Sequence, residues 1–205
     1  GTTGNGSFLL NAPIDTCGRY TIDPVPHDRS YFESQLVAVN NYFRSVSYGK
    51  FGLDLDQSIV FPLSDENSYV LPKTMDYYHP YNQTEIHDQR VTELFRDALE
   101  TAYNDDEIDF SNFDHVVIFH AGIGQDFSLP FLDPTPEDIP STFIDGDMLQ
   151  EFVGGMLQFG TVTINQGIIL PETQNHLFYQ ESENIFLDAE EPCDYQYGLT
   201  GTFAL

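Results

Sequence analysis

The sequence predicts a mixed domain of helices and strands, α/β in the broad sense and α+β in detail. Two segments with helical apolar spacing, at about 31–46 and 85–103, carry the first half of that reading. The second half rests on "VVIF" at 116–119, an apolar run too short for a helix, and on two β-rich runs at 161–164 and 167–170. The order helix, strands, helix, buried strand, hairpin suits one sheet with helices packed on it. A chain of 205 residues is long enough to bury a core of that kind.

Residues 1–29 are rich in Gly, Thr and Pro and read as an irregular lead-in with a short strand at 7–10. No repeat or low-complexity linker divides the rest, so 30–205 reads as a single domain. Ser30 and Glu33 have the spacing of a capping box, in which each side chain satisfies a free amide at a helix start. Phe32, Leu36, Val39, Phe43 and Val46 then recur at steps of three and four, and Tyr48-Gly49 closes the helix. Phe51, Leu53 and Leu55 alternate with smaller or acidic residues, and Ile59 to Phe61 follow, which predicts one or two half-buried strands. The stretch 62–80 reads as loop. Thr84 is the expected N-cap of the second helix, whose buried stripe is Val91, Leu94, Phe95, Ala98, Leu99 and Ala102.

After an acidic turn at 104–109 comes "FDHVVIFHAGIGQDF" at 113–127. Its continuous apolar run predicts a central strand buried on both faces, leaving the sheet through Gly122 and Gly124. A Pro- and Asp-rich loop is expected over 125–147 and a short helix over 148–159, interrupted by Gly154-Gly155. The runs 161–164 and 167–170 read as strands around an Asn165-Gln166-Gly167 turn. The small apolar stretch 197–205 reads as the start of a buried helix.

Charge narrows the partners. Thirty-three acids against seven bases give a formal net charge of −26, which repels nucleic acid and anionic lipid. No apolar run reaches the roughly 18 residues of a membrane span, so no membrane insertion is expected. Three readings of the carboxylates stay open: hydration of a halophilic-like surface, calcium binding, or a generically acidic secreted surface. Cys17 and Cys193 are too few for a zinc cluster and too far apart for a redox pair; they are either one disulfide in a secreted chain or two free thiols. Asn5 and Asn82 open N-glycosylation sequons. The chain starts at Gly1 without a signal peptide, so a mature, cut or excised piece is expected.

The sequence holds no H-E-x-x-H, G-x-S-x-G, Walker or Rossmann motif. None of His27, His79, His87, His115, His120 and His176 stands at i, i+4 from another. His120, at the end of a strand, is either a working group or a ring satisfied by backbone hydrogen bonds, and the second reading is preferred. Three acidic clusters are calcium candidates: Asp105, Asp106 and Asp109 with Glu107; Asp133, Glu137, Asp138, Asp145 and Asp147; and Asp188, Glu190 and Asp194 with Glu191.

"DFSNFD" at 109–114, "VVIFHAGIG" at 116–124 and "YFRSVSYGKF" at 42–51 together resemble the secreted zinc metallopeptidases of the immune inhibitor A type. The resemblance covers about 30–125. It implies a zincin-like fold, a twisted mixed sheet over an active-site helix that carries H-E-x-x-H, with two zinc ligands and the general-base Glu. That helix would begin around 198–205 and run on past Leu205, so it is missing or truncated here. No zinc ligand or catalytic residue of the family falls on this chain, and 205 residues alone are expected to be inactive. The resemblance implies a secreted, extracellular or cell-surface location. Two functions follow as expectations. The first is the N-terminal part of a secreted metallopeptidase domain, hydrolysing peptides only if a zinc motif follows Leu205. The second is a non-catalytic structural or interaction subunit, a pseudoenzyme on the same fold. Either way, sheet surface left bare by the truncated helix needs a protein partner, by self-association or from the missing C-terminal part.

Overall fold

A computed structural model describes residues 6–11, 25–63, 68–106, 108–126, 137–174, 176–177 and 196–197, with Asp106, His176, Leu177, Gln196 and Tyr197 described by backbone alone. The chain is mixed helix and strand, in the α+β manner the sequence predicts. Among the described residues the α-helices are α1 (Arg29–Val46), α2 (Met75–Tyr78), α3 (His87–Asp106) and α4 (Gly146–Phe152). The strands are β1 (Val117–Ile123), β2 (Thr142–Ile144), β3 (Leu157–Phe159), β4 (Val162–Ile164), β5 (Gly167–Thr173), β6 (His176–Leu177) and β7 (Gln196–Tyr197).

The main sheet has the order β1-β5-β2, with β1 parallel and β2 antiparallel to β5. Paired residues point to the same face of a sheet. Ile118 pairs with Ile169, and a Cβ on Gly167 would lie 2.5 Å from Cζ of Phe95, so this face looks at α3. Glycine at 167 therefore lets the helix approach the sheet. Val91, Leu94, Phe95, Leu99 and Ala102 of α3 meet Ile144, Leu149 and Ile169 in the core. Burying a side chain such as Phe95 contributes on the order of 1.5–3 kcal/mol. The opposite face carries Phe119, which meets Phe32 of α1 with ring centroids 4.8 Å apart. Between that face, α1 and the segment 51–63 lies an open groove of about 2050 Å³.

Several expectations are corrected. The buried strand is at the edge of the described sheet and half-buried, because its only described neighbour is β5; β5 is the central, more deeply buried strand. The runs 161–164 and 167–170 do not form a hairpin. Instead β4 folds back on β3 through Gly160, at φ +60°, and β5 crosses to β1. The expected helix over 148–159 ends at Phe152, where Gly154 and Gly155 take φ +87° and +148° and leave 157–159 free to pair as β3. Within the expected loop over 125–147, β2 forms by pairing with β5.

No strand forms over 51–61 or 7–10. Leu53 N–H donates 2.9 Å to Oδ1 of Asn40 on α1, and Leu9 N–H donates to a side chain, so neither segment has a backbone ladder. Asp28, not Ser30, caps α1: its carboxylate accepts from Tyr31 N–H at 3.2 Å, while Ser30 Oγ donates back to the same carboxylate. Thr84 opens a 3-10 turn, Thr84–Ile86, rather than α3 itself. The helix expected over 197–205 lies outside the described residues, apart from Tyr197 in β7. No helix among the described residues is long and apolar enough to cross a membrane.

Candidate functional site

The bulge in β1 organises the polar interior. Pairing with β5 is regular from Val117 to His120 and shifts before Ile123. Gly122 sits at φ +98° in that shift, a conformation that favours glycine. The turn aims Gly122 N–H at Oε2 of Glu172, 2.9 Å away. Oε1 of the same carboxylate accepts from Leu9 N–H at 2.5 Å and from His27 Nδ1 at 2.7 Å. Both side chains of the His27–Glu172 pair are almost fully buried. The His27 ring stacks on Tyr31, 4.1 Å between centroids, and the Tyr31 hydroxyl donates 3.0 Å to the backbone oxygen of Glu172. Through its carboxylate and its backbone oxygen, Glu172 thus ties the lead-in, the start of α1, β1 and β5 together. Gly124 continues the strand exit. Its N–H donates to Thr173 O, and a Cβ there would lie 2.6 Å from Cγ of Pro171.

His120 is buried, with Nε2 3.0 Å from Ile139 O and Nδ1 3.1 Å from Ala121 O. Burial holds its pKa below the ordinary imidazole value. The ring lies between two backbone carbonyls, to one of which the neutral imidazole donates its single N–H, in keeping with the structural reading of its sequence position. His79 and His87 lie nearby, ring against ring at 4.0 Å. His87 Nε2 is 2.9 Å from Pro80 O, whereas His79 Nδ1 is buried with no hydrogen-bond partner. Burial first, and the neighbouring His87 second, push His79 down to about 4 from 6.5.

That shift has a measurable consequence. The unfolded ring takes a proton near 6.5, but the folded ring resists until about 4. The stabilisation is therefore complete above 6.5 and falls as pH drops from 6.5 towards 4, by on the order of 3 kcal/mol. Replacing His79 with Phe should flatten that part of the urea-midpoint profile. Equal slopes in both proteins would show that His79 is not its source.

A second charged cluster lies on α3. Asp97 is buried and accepts from Lys73 Nζ at 2.9 Å, Tyr78 Oη at 2.8 Å and Arg96 Nη2 at 2.7 Å. Beside it Glu93 accepts from Tyr77 Oη at 2.7 Å, Arg90 Nη1 at 2.8 Å and Gln89 Nε2 at 2.9 Å. Burial opposes ionisation of both acids, but these hydrogen bonds outweigh it and hold both carboxyls below their ordinary values. Burial together with Asp97 pushes the Tyr78 phenol up. Three of the seven bases in the chain, Lys73, Arg90 and Arg96, are engaged here.

The sequence-predicted metal candidates do not converge. Asp105 is exposed on the last turn of α3, where Asp106 also lies. The Asp109 carboxylate accepts from Ser111 N–H at 3.0 Å and Ser111 Oγ at 2.7 Å, capping the 3-10 turn Phe110–Asn112. Asp145 caps α4 through Asp147 N–H and Met148 N–H, Asp147 is exposed, Glu137 is half-buried and Asp138 is buried. Asp133, Asp188, Glu190 and Asp194 lie outside the described residues, as do Cys17, Cys193 and Asn5. Asn82 is exposed at φ +57°. Among the described residues, no three His, Cys, Asp or Glu side chains are grouped to hold a metal ion. They therefore do not fit a zinc centre by themselves.

Sequence reading missed Glu172, His27 and Asp97. A lone acid inside the apolar run 167–173 was the available signal for Glu172, because a buried charge requires partners. Nothing local marked Asp97, whose neighbour Lys73 is 24 residues away. Compared with protein-family models, curated proteins and solved structures, the chain shows no significant match.

Proposed function

We propose that this chain is the N-terminal part of a secreted, zincin-like metallopeptidase domain of the immune inhibitor A type. What supports the reading is the stereochemistry of "HAGIG" at 120–124. His120 lies between two backbone carbonyls and donates to one, Gly122 takes a positive φ and serves Glu172, and Gly124 has no room for a Cβ. Each distinctive position of the resembling motif thus has a backbone reason to be what it is, which chance composition does not supply. The groove beside β1 leaves space on the sheet for a further element. Zinc, when bound in such domains, activates water towards a peptide carbonyl. No catalytic step is assigned to the described residues, whose part is to build and hold the sheet.

The test uses the parent gene product, including any residues that follow Leu205. Zinc stoichiometry and casein cleavage are measured with and without chelator, beside the 205-residue chain. Chelator-sensitive cleavage with about one zinc per parent chain is expected, and neither property in the 205-residue chain. A parent protein without zinc and without cleavage would sink the peptidase reading. It would leave the alternative, a non-catalytic extracellular or cell-surface subunit on a degenerate form of the fold. The exposed aromatic surface at the end of α1 is the observation that favours that alternative.

A further inference from the structure

The C-terminal end of α1 carries an apolar surface that no described residue covers. Tyr42, Val46 and Phe51 are about half exposed, and Tyr48 is 92% exposed. A contiguous patch of this kind on an acidic chain marks an interaction surface. It is also rigid. Gly49 N–H donates 2.7 Å to Arg44 O and Tyr48 N–H donates 3.3 Å to Ser45 O, the paired bonds of a Schellman cap. Ser47 Oγ accepts from Phe51 N–H at 2.9 Å, and the Phe43 and Phe51 rings meet edge-on at 5.1 Å. In that cap the left-handed position usually goes to glycine, yet Tyr48 holds it at φ +56° with Gly49 following at +76°. A bulky residue there is strained, and its ring is held out in solvent where no described contact compensates it.

Charge selects the occupant. Residues 34–53 contain no acid in a chain with 33 of them. Arg44 and Lys50 are exposed within the patch and form no ion pair with a described residue. With Asp54 and Asp56 close behind, the segment 34–56 holds two bases and two acids and is locally neutral. The other acid-free stretch of that length, 152–171, has no base to pair with an acid of a second copy, and the inward positions of β3 to β5 within it are buried. Two copies of a −26 chain repel each other over most of their surface. They can approach face to face where charge cancels, and a two-fold axis allows the bases of each copy to face the acids of the other.

We infer that the end of α1 and the turn 47–51 form a self-association surface that takes a second copy of this chain across a two-fold axis. Because the repulsion elsewhere is screened over about 8 Å at physiological salt and about 3 Å at 1 M, dimerisation strengthens with salt.

Sedimentation equilibrium over a range of protein and NaCl concentrations tests this, with thermal melting as a check on folding. The wild-type chain should be monomeric at low salt and reversibly dimeric at high salt. Tyr48→Gly relieves the left-handed strain without adding charge, so it should keep the melting temperature or raise it while weakening the dimer by about tenfold or more. Val46→Asp should do the same to the dimer. Met156→Asp, at an equally exposed apolar residue outside the patch, should leave it intact. A wild-type chain that stays monomeric at every salt and concentration overturns the inference. So does a dimer that survives Tyr48→Gly and Val46→Asp, or one that Met156→Asp alone disrupts.

Discussion

Replacing Glu172 with alanine is expected to destabilise the fold by about 3–5 kcal/mol, the scale of removing the shared acceptor of several buried hydrogen bonds. The carboxylate is only 5% exposed and accepts from Leu9 N–H, His27 Nδ1 and Gly122 N–H. Its removal takes this acceptor from the buried His27 ring and from the part-buried amides of Leu9 and Gly122, and each buried unsatisfied group costs about 1–3 kcal/mol. Glu172→Gln should cost less, because one carbonyl oxygen can still serve the Leu9 and His27 side of the site. Urea titrations of the three proteins check the order. A Glu172→Ala midpoint equal to wild type would show that water replaces the carboxylate without loss. Hydrogen exchange adds a regional readout: the amides of Leu9 and Gly122 should lose protection before those of α3, since the clamp holds the lead-in and the β1 bulge rather than the core.

The second large effect is expected at Asp97. Asp97→Ala should cost about 2–4 kcal/mol, since it strands the buried Tyr78 hydroxyl and leaves Lys73 and Arg96 side by side without their acid. Asp97→Asn keeps an acceptor for Tyr78 and should lose less. The cluster also sets the acid limit of stability. The folded-state carboxyls of Asp97 and Glu93 lie below their ordinary values of 3.8 and 4.5, so the unfolded chain takes up protons first. Their contribution is whole above those ordinary values and is lost as pH falls through the depressed ones. It therefore comes after the loss from His79, which begins at 6.5. Lys73 works in the opposite direction: its raised value means that its contribution holds below 10.5 and is lost as pH rises past the folded value. Melting temperatures of wild type and Asp97→Asn from neutral pH down to acid check this. The two curves should converge at the acid end, and parallel curves would assign the acid loss to other groups.

Three scarce bases are thus committed to partly buried pairs on and against α3, in a chain whose surface is overwhelmingly acidic. Added salt acts on the surface repulsion and much less on such partly buried pairs. The contrast also separates the neutral end of α1 from the rest of the surface.

Sequence alone determined the features whose causes are local. The helices expected at about 31–46 and 85–103 follow from apolar residues at three- and four-residue steps and match α1 and α3 to within a few residues, and β1 follows from an apolar run too short for a helix. The glycines after it were legible because positive φ and close approach are properties of single residues. Tertiary structure decided what depends on distant partners. The Asn165-Gln166-Gly167 turn looked like a hairpin locally, but β5 gains more by filling the space between β1 and β2, with Gly167 under Phe95. The alternation at 51–55 looked like a strand, but Asn40 of α1 takes the amide of Leu53. Glu172 could be seen as an odd charge in an apolar run, yet its partners lie 50, 145 and 163 residues away. Periodicity and caps are written within a few residues of where they act. The pairing of strands and the satisfaction of a buried carboxylate are settled only when the whole chain closes around them.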